Sequence, residues 1–149
     1  MQYLSVHDIV WINTTLAGKT LSFNYVTLEE AMAAQYSYGD STNVPVQAAN
    51  LLDTLVRKRP FKYGNVRTGF IAVTAFLNAN GYALKVDEVG AADLVKSLAS
   101  GQATAADTVG ALAQATGASL KAGISLRTVV THIFNHHTEA VQLLAQGDE

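Results

Sequence analysis

Apolar residues along the chain recur at helical spacing, and the runs are separated by capping residues and glycines. Ser5 and Asp8 stand three positions apart, a capping-box pattern that predicts a helix to about Leu16, stopped near Gly18. Between 21 and 25 the apolar side chains fall at every second position (Leu21, Phe23, Tyr25), which predicts an extended connection. Thr27 and Glu30 form a second capping pair and predict a short Ala-rich helix to about Gln35. Residues 36–43 are dense in turn formers and predict an exposed loop carrying Tyr36 and Tyr38. Pro45 suits the first turn of a third helix that ends near Lys58, ahead of Pro60.

Residues 65–80 leave almost no polar face, because small Gly69, Ala72 and Ala75 are interspersed among Phe70, Ile71, Val73, Phe76 and Leu77. Such a helix belongs at the centre of a fold. Asn80-Gly81 predicts its end, with Gly81 as a left-handed cap. Two shorter helices are expected near 88–100 and 103–116, closed by Gly101 and Gly117. A last amphipathic helix is expected over 125–149, with Leu126, Val129, Val130, Ile133, Phe134, Ala140, Val141 and Leu144 on one face. These elements predict an all-α class: a single domain over 1–149, a helical bundle around a buried central helix.

Composition narrows the partners more than the fold. With 149 residues and apolar types at 49%, the chain can build one sizeable core. Ten basic residues against twelve acidic ones give no global field for nucleic acid or an anionic membrane. There is no cysteine, which excludes disulfides and thiolate metal sites. No run reaches the ~18 apolar residues of a membrane span, and the first eight residues lack the basic start and apolar run of a secretory signal. A cytoplasmic protein with no membrane or nucleic-acid partner is the expectation.

Charge does concentrate locally. Arg57, Lys58, Arg59, Lys62 and Arg67 are half of the ten basic residues, and no acidic residue occurs between Asp53 and Asp87. The run straddles a junction at which one helix ends and the buried helix begins. At that second helix's start the backbone N–H groups lack intrahelical partners and the dipole adds positive charge, a combination suited to phosphate. Arg67 falls in its first turn, where a guanidinium fork can hold two oxygens. The alternative is a solvated helix end, since cations also favour a helix carboxyl terminus.

The string Arg59-Pro60-Phe61-Lys62-Tyr63-Gly64-Asn65-Val66-Arg67-Thr68 resembles the signature of the Fic/Doc (Fido) family, His-Pro-Phe-x-(Asp/Glu)-Gly-Asn-x-Arg, with the Thr that often follows in Doc (death on curing) proteins. Pro60, Phe61, Gly64, Asn65, Arg67 and Thr68 agree. Tyr3-Leu4-Ser5 with Asp8, Leu28-Glu29-Glu30-Ala31, and Ala75-Phe76-Leu77-Asn78-Ala79-Asn80-Gly81-Tyr82 are also similar to Doc-type text, and more weakly Ala91-Ala92-Asp93-Leu94 with Ala99-Ser100-Gly101. The likeness covers about 3–116.

The resemblance implies an all-helical fold that transfers a phosphoryl group, or AMP, from a nucleotide to a protein side chain, with toxin–antitoxin regulation. It implies a phosphate or nucleotide site at Arg59, Lys62, Gly64, Asn65, Arg67 and Thr68, with ATP or another nucleotide as ligand. The loop at 36–43 takes the place of the family's target-binding flap, which makes Tyr36 and Tyr38 candidates for target contact; a loop packing its own tyrosines is the alternative. The self-inhibitory Ser/Thr-x-x-x-Glu pattern of some Fic proteins is absent, so control by an antitoxin-like partner is what the likeness implies.

Two departures bear on chemistry. Arg59 stands at the position of the catalytic His and Tyr63 at that of the Mg²⁺-binding acid. A guanidinium stays protonated near neutral pH and cannot serve as general base. A neutral phenol is a poor ligand for Mg²⁺. Phe70 replaces the second Arg of many nucleotidyl-transferring members, and Val66 a frequent Lys.

The expected protein is a catalytically impaired relative, a pseudoenzyme with an anion pocket that acts through a partner. The alternatives are residual transfer with a non-standard base and a non-enzymatic interaction module. No metal site is expected: His132 and His136 stand at i and i+4 but lack a third ligand, and His137 falls within the apolar stripe.

Overall fold

A computed structural model describes residues 1–36, 42–117 and 125–148. Among these the chain is mostly helical: α1 (Val6–Ala17), α2 (Tyr25–Ala33), α3 (Val44–Lys58), α4 (Asn65–Ala79), α5 (Glu88–Ala99), α6 (Ala105–Leu112), α7 (Leu126–His136) and α8 (Thr138–Ala145), with one two-stranded sheet. Strand β1 (Tyr82–Leu84) pairs antiparallel with β2 (Ala113–Ala115), Tyr82 facing Ala115 and Leu84 facing Ala113.

Local chemistry accounts for most boundaries. Ser5 and Asp8 form the reciprocal capping box at α1, and Gly18 closes that helix in the left-handed region. Asn43 caps α3, Thr104 caps α6 and Ser125 caps α7. At α2 the cap is Asn24, whose side chain accepts from the Thr27 amide, so this helix starts two residues before the expected Thr27. The extended connection is real but short, a single bridge between Phe23 and Phe61 with their rings 5.6 Å apart. That bridge, with the Asn24 amide donating to the Pro60 carbonyl at 2.9 Å, fixes the α3–α4 junction.

Two expected helices are shorter than their sequence suggests. The helix expected over 103–116 stops at Leu112, because residues 113–115 pair with the short strand after α4 and close the sheet. The expected last helix is two: His137 leaves helical geometry (φ −127°, ψ 32°), and α8 then packs on α5 and α4 while α7 packs on α4 and α1.

The core is centred on α4, as its lack of a polar face predicts. Val66, Phe70, Ile71, Ala72, Val73, Ala75, Phe76 and Leu77 are all buried, against α3, α7, α1 and α8. Gly69 lets α3 approach: a Cβ there would stand 3.3 Å from Leu52 Cδ1 and 3.5 Å from Val56 Cγ2. Buried amides tie the remaining parts to this core. Gln35 exchanges hydrogen bonds with the Leu4 backbone at 2.8 and 2.7 Å, and Gln47 donates to the Gln35 carbonyl. No helix among the described residues is long and apolar enough to cross a membrane.

Candidate functional site

The amino end of α4 is held rigidly from below. Gly64, its N-cap, adopts φ +79°, a left-handed conformation that only glycine takes without strain. A Cβ there would also crowd Asn13 Nδ2 at 3.3 Å, with the Arg67 guanidinium in ordinary contact at 3.5 Å. Buried Asn13 donates to the Tyr63 carbonyl at 3.1 Å and to Thr68 Oγ1 at 3.2 Å. Asn65 turns back onto Phe61, accepting from its amide at 3.0 Å and donating to its carbonyl at 2.9 Å. Glycine conformation, Asn13 and Asn65 thus orient the first turn of a helix whose axis runs straight into the core.

What that first turn binds is a carboxylate from the chain itself. The Val66 amide donates to Asp148 Oδ1 at 2.9 Å, while the Arg67 amide and Nε both donate to Oδ2 at 3.0 and 2.9 Å. The Gly64 amide donates to the Asp148 carbonyl at 3.0 Å. Asp148 is only 1% exposed and Arg67 17%, so this ion pair lies out of water. Three charge-assisted hydrogen bonds onto one carboxylate, at a helix start, describe a cradle for a two-oxygen anion. Beside it opens a cavity of about 330 Å³ lined by Val66, Lys96, Ser100, Leu144, Gln146 and Asp148.

The expected site residues separate on this scaffold. Gly64 and Arg67 form the cradle. Asn65 and Thr68 have their side chains inside the fold, bonded to Phe61 and Asn13, so they support the turn instead of facing a ligand. Lys62 is exposed and Tyr63 half-buried. Arg59 ends α3 in the left-handed region (φ 48°) and lines a different cleft. That cleft, about 960 Å³, runs between α3 and α5–α6 past Asp53, Arg57, Asp107 and Gly110. The structure therefore does not bring Arg59 onto the cavity that Val66 and Asp148 line. Tyr36 is 44% exposed and packs on Tyr3 with ring centres 4.5 Å apart, which supports loop packing at that residue. Tyr38 lies outside the described residues.

The rest of the basic run is surface. Arg57 pairs with Asp53 at 2.7 Å and Lys58 with Glu30 at 3.2 Å, all four side chains well exposed except Asp53 at 32%. Asp148 is the functional position that sequence reasoning missed. It lies 82 residues beyond Val66, in the short segment after α8, where nothing local marks it as a partner of α4.

His132, His136 and His137 take two different environments. His132 and His136 stack on α7 with ring centres 3.9 Å apart, and His136 Nδ1 bonds the His132 carbonyl at 2.9 Å. His137 packs edge-on against Phe70, 6.1 Å between centres, and its buried Nδ1 has no hydrogen-bond partner among the described residues. Burial pushes the His137 pKa below its ordinary 6.5; Glu88 opposes this, while His132 and His136 add to it. Among the described residues, no three His, Asp or Glu side chains come together to hold a metal ion.

Comparison of the chain with protein-family models, with curated proteins and with solved structures returns no match.

Proposed function

We propose that this chain is a cytoplasmic Fic/Doc-like protein that has lost ordinary family catalysis and keeps an anion cradle for a nucleotide or other phosphate, acting through a protein partner. The observation that carries this reading is the convergence of the Val66 amide, the Arg67 amide and Arg67 Nε on one carboxylate. A phosphate presents oxygens at similar spacing and carries more charge, so the same donors suit it. Impaired chemistry follows from residue types. Arg59 cannot accept a proton, and Tyr63 offers no carboxylate. The acid found in the cradle, Asp148, is already paired with Arg67, which leaves a Mg²⁺–nucleotide complex without its usual protein ligand.

The test is calorimetry with ATP on the chain, on Asp148→Asn and on Arg67→Ala. Binding by the chain or by Asp148→Asn, lost with Arg67→Ala, is expected. Absence of binding by both of the first two contradicts the reading. Catalysis is tested separately by Arg59→His combined with Tyr63→Asp: labelled nucleotide incubated with cell extract should mark a protein with this double variant and not with the parent. Marking by the parent itself, abolished by Arg67→Ala, would instead establish residual transfer with a non-standard base.

A second reading has one specific observation in its favour. The cradle already holds an acidic residue on a turn, Gly147-Asp148, so an acidic peptide of a partner fits it as well as a phosphate does. Under that reading the chain is a non-enzymatic interaction module, and a partner pulled down from extract stays bound in excess nucleotide.

A further inference from the structure

His132 and His136 stand one turn apart toward the carboxyl end of α7, and neither lines the cradle's cavity or the α3–α6 cleft. Their rings lie face to face, 3.9 Å between centres and 24° between planes. Both residues are exposed, so the stack buries little apolar surface and packing gives small reason for it. The packing contacts of this helix come from its buried face, at Val130 and Ile133.

Hydrogen bonding distinguishes the pair from two solvated side chains. His136 Nδ1 lies 2.9 Å from the His132 carbonyl oxygen. A carbonyl only accepts, so Nδ1 carries the hydrogen, and in the neutral ring the lone pair is at Nε2. Histidines that ligate a metal use the same device: the other ring nitrogen donates to a carbonyl or carboxylate, which fixes tautomer and orientation. Among the described residues neither ring bonds another side chain, so both are available to a ligand from solvent. His136 is in the last turn of α7, where the negative end of the helix dipole favours a cation.

We propose that His132 and His136 form a two-imidazole chelate for a divalent d-block cation such as Cu²⁺, Ni²⁺ or Zn²⁺, with water in the remaining positions. The donors set the ion class. Imidazole suits these metals, whereas Mg²⁺ and Ca²⁺ take oxygen ligands, and the chain has no cysteine to offer sulfur. Two nitrogens bound to one ion at about 2.0–2.1 Å need rings side by side, which a single helical turn supplies. That spacing is set only while α7 is helical. The ion therefore binds the folded chain in preference to the unfolded one and stabilises it. The chelate is independent of the anion-cradle reading, because it shares no residue with the cradle.

The test uses Cu²⁺ and the full chain, followed by calorimetry and electron paramagnetic resonance. One ion per chain should bind, with two imidazole nitrogens in the resonance signal. His132→Gln and His136→Gln each leave a single ring of the pair. Each should weaken binding at least about tenfold through loss of the intramolecular second ligand, with one imidazole nitrogen left in the signal. His7→Gln, on α1, should change neither readout. All three positions are exposed, and circular dichroism checks that the variants keep their helices. A second measurement follows stability: Cu²⁺ at a hundred times its Kd should raise the folded-to-unfolded ratio about a hundredfold in the parent, and only about tenfold or less in either α7 variant. Absence of saturable binding by the parent, or weakening of less than about threefold in either α7 variant, would overturn the chelate. Binding lost equally with His7→Gln would overturn it too.

Discussion

The carboxyl end of α3 and the amino end of α4 belong to one basic run, yet their arginines face opposite conditions. Arg57 pairs with Asp53 one turn back in the same helix, its side chain 76% exposed. Arg67 pairs with Asp148 from the far end of the described chain, and both groups are shielded from water. The first pair forms in high dielectric, where salt and side-chain entropy offset most of the attraction. The second has given up its hydration and is held by backbone amides as well, so removing either partner leaves a buried charge or orphaned donors. Local charge density therefore says little about where an anion would bind. Burial and first-turn amides that lack an intrahelical partner hold the Asp148 carboxylate, and both belong to α4.

The largest predicted effect breaks the buried side of this comparison. Asp148→Ala should cost about 3 kcal/mol of stability, since it strands Arg67 and the Val66 and Arg67 amides. Chemical denaturation checks this, and a loss below about 1 kcal/mol would mean that the amides are satisfied without the carboxylate.

A smaller effect comes from a half-buried ring at the α7–α8 break. His137 titrates below its ordinary 6.5 because burial disfavours the charged ring. In the unfolded chain the ring takes up its proton first as pH falls. The contribution to stability is therefore complete above pH 6.5 and is lost as the pH drops through the lower folded value. The thermal midpoint should fall over that acid range, and His137→Phe should flatten this part of the profile. An unchanged slope in the variant would remove His137 as the cause.

The smallest effect belongs to the exposed pair. A double-mutant cycle on Arg57 and Asp53 should give a coupling of about 0.3–0.5 kcal/mol that fades in high salt. The same cycle on Arg67 and Asp148 should give several times that value and resist salt. Similar couplings for the two pairs would dissolve the distinction between the regions.

Much of this frame was legible in the sequence, for identifiable reasons. Ser5 with Asp8, Pro45 and Gly18 act through their nearest neighbours, so α1 and α3 could be placed from local chemistry alone. The absence of a polar face on α4 announced its central position. Residues 113–115 misled because their alanines favour helix, and only pairing with Tyr82–Leu84 makes them a strand. The break at His137 was hidden because apolar spacing continues through it and the interruption serves tertiary packing of α8. At the site, Gly64 and Arg67 stood out by residue type and spacing. Asn13 and Asp148 did not, since each acts on a partner more than 50 positions away, except for Asn13's bond to Tyr63 at 50. Arg59 was placed with the cradle by its position in the Fic/Doc-like string, whereas the left-handed turn after α3 puts it on the α3–α6 cleft.

One titration goes to the centre of this account: ATP into Asp148→Asn, with and without Arg67→Ala, followed by calorimetry. Saturable heat in the single variant that vanishes in the double variant is the predicted result. No heat in the single variant, or binding that survives loss of Arg67, would contradict an anion cradle at the start of α4.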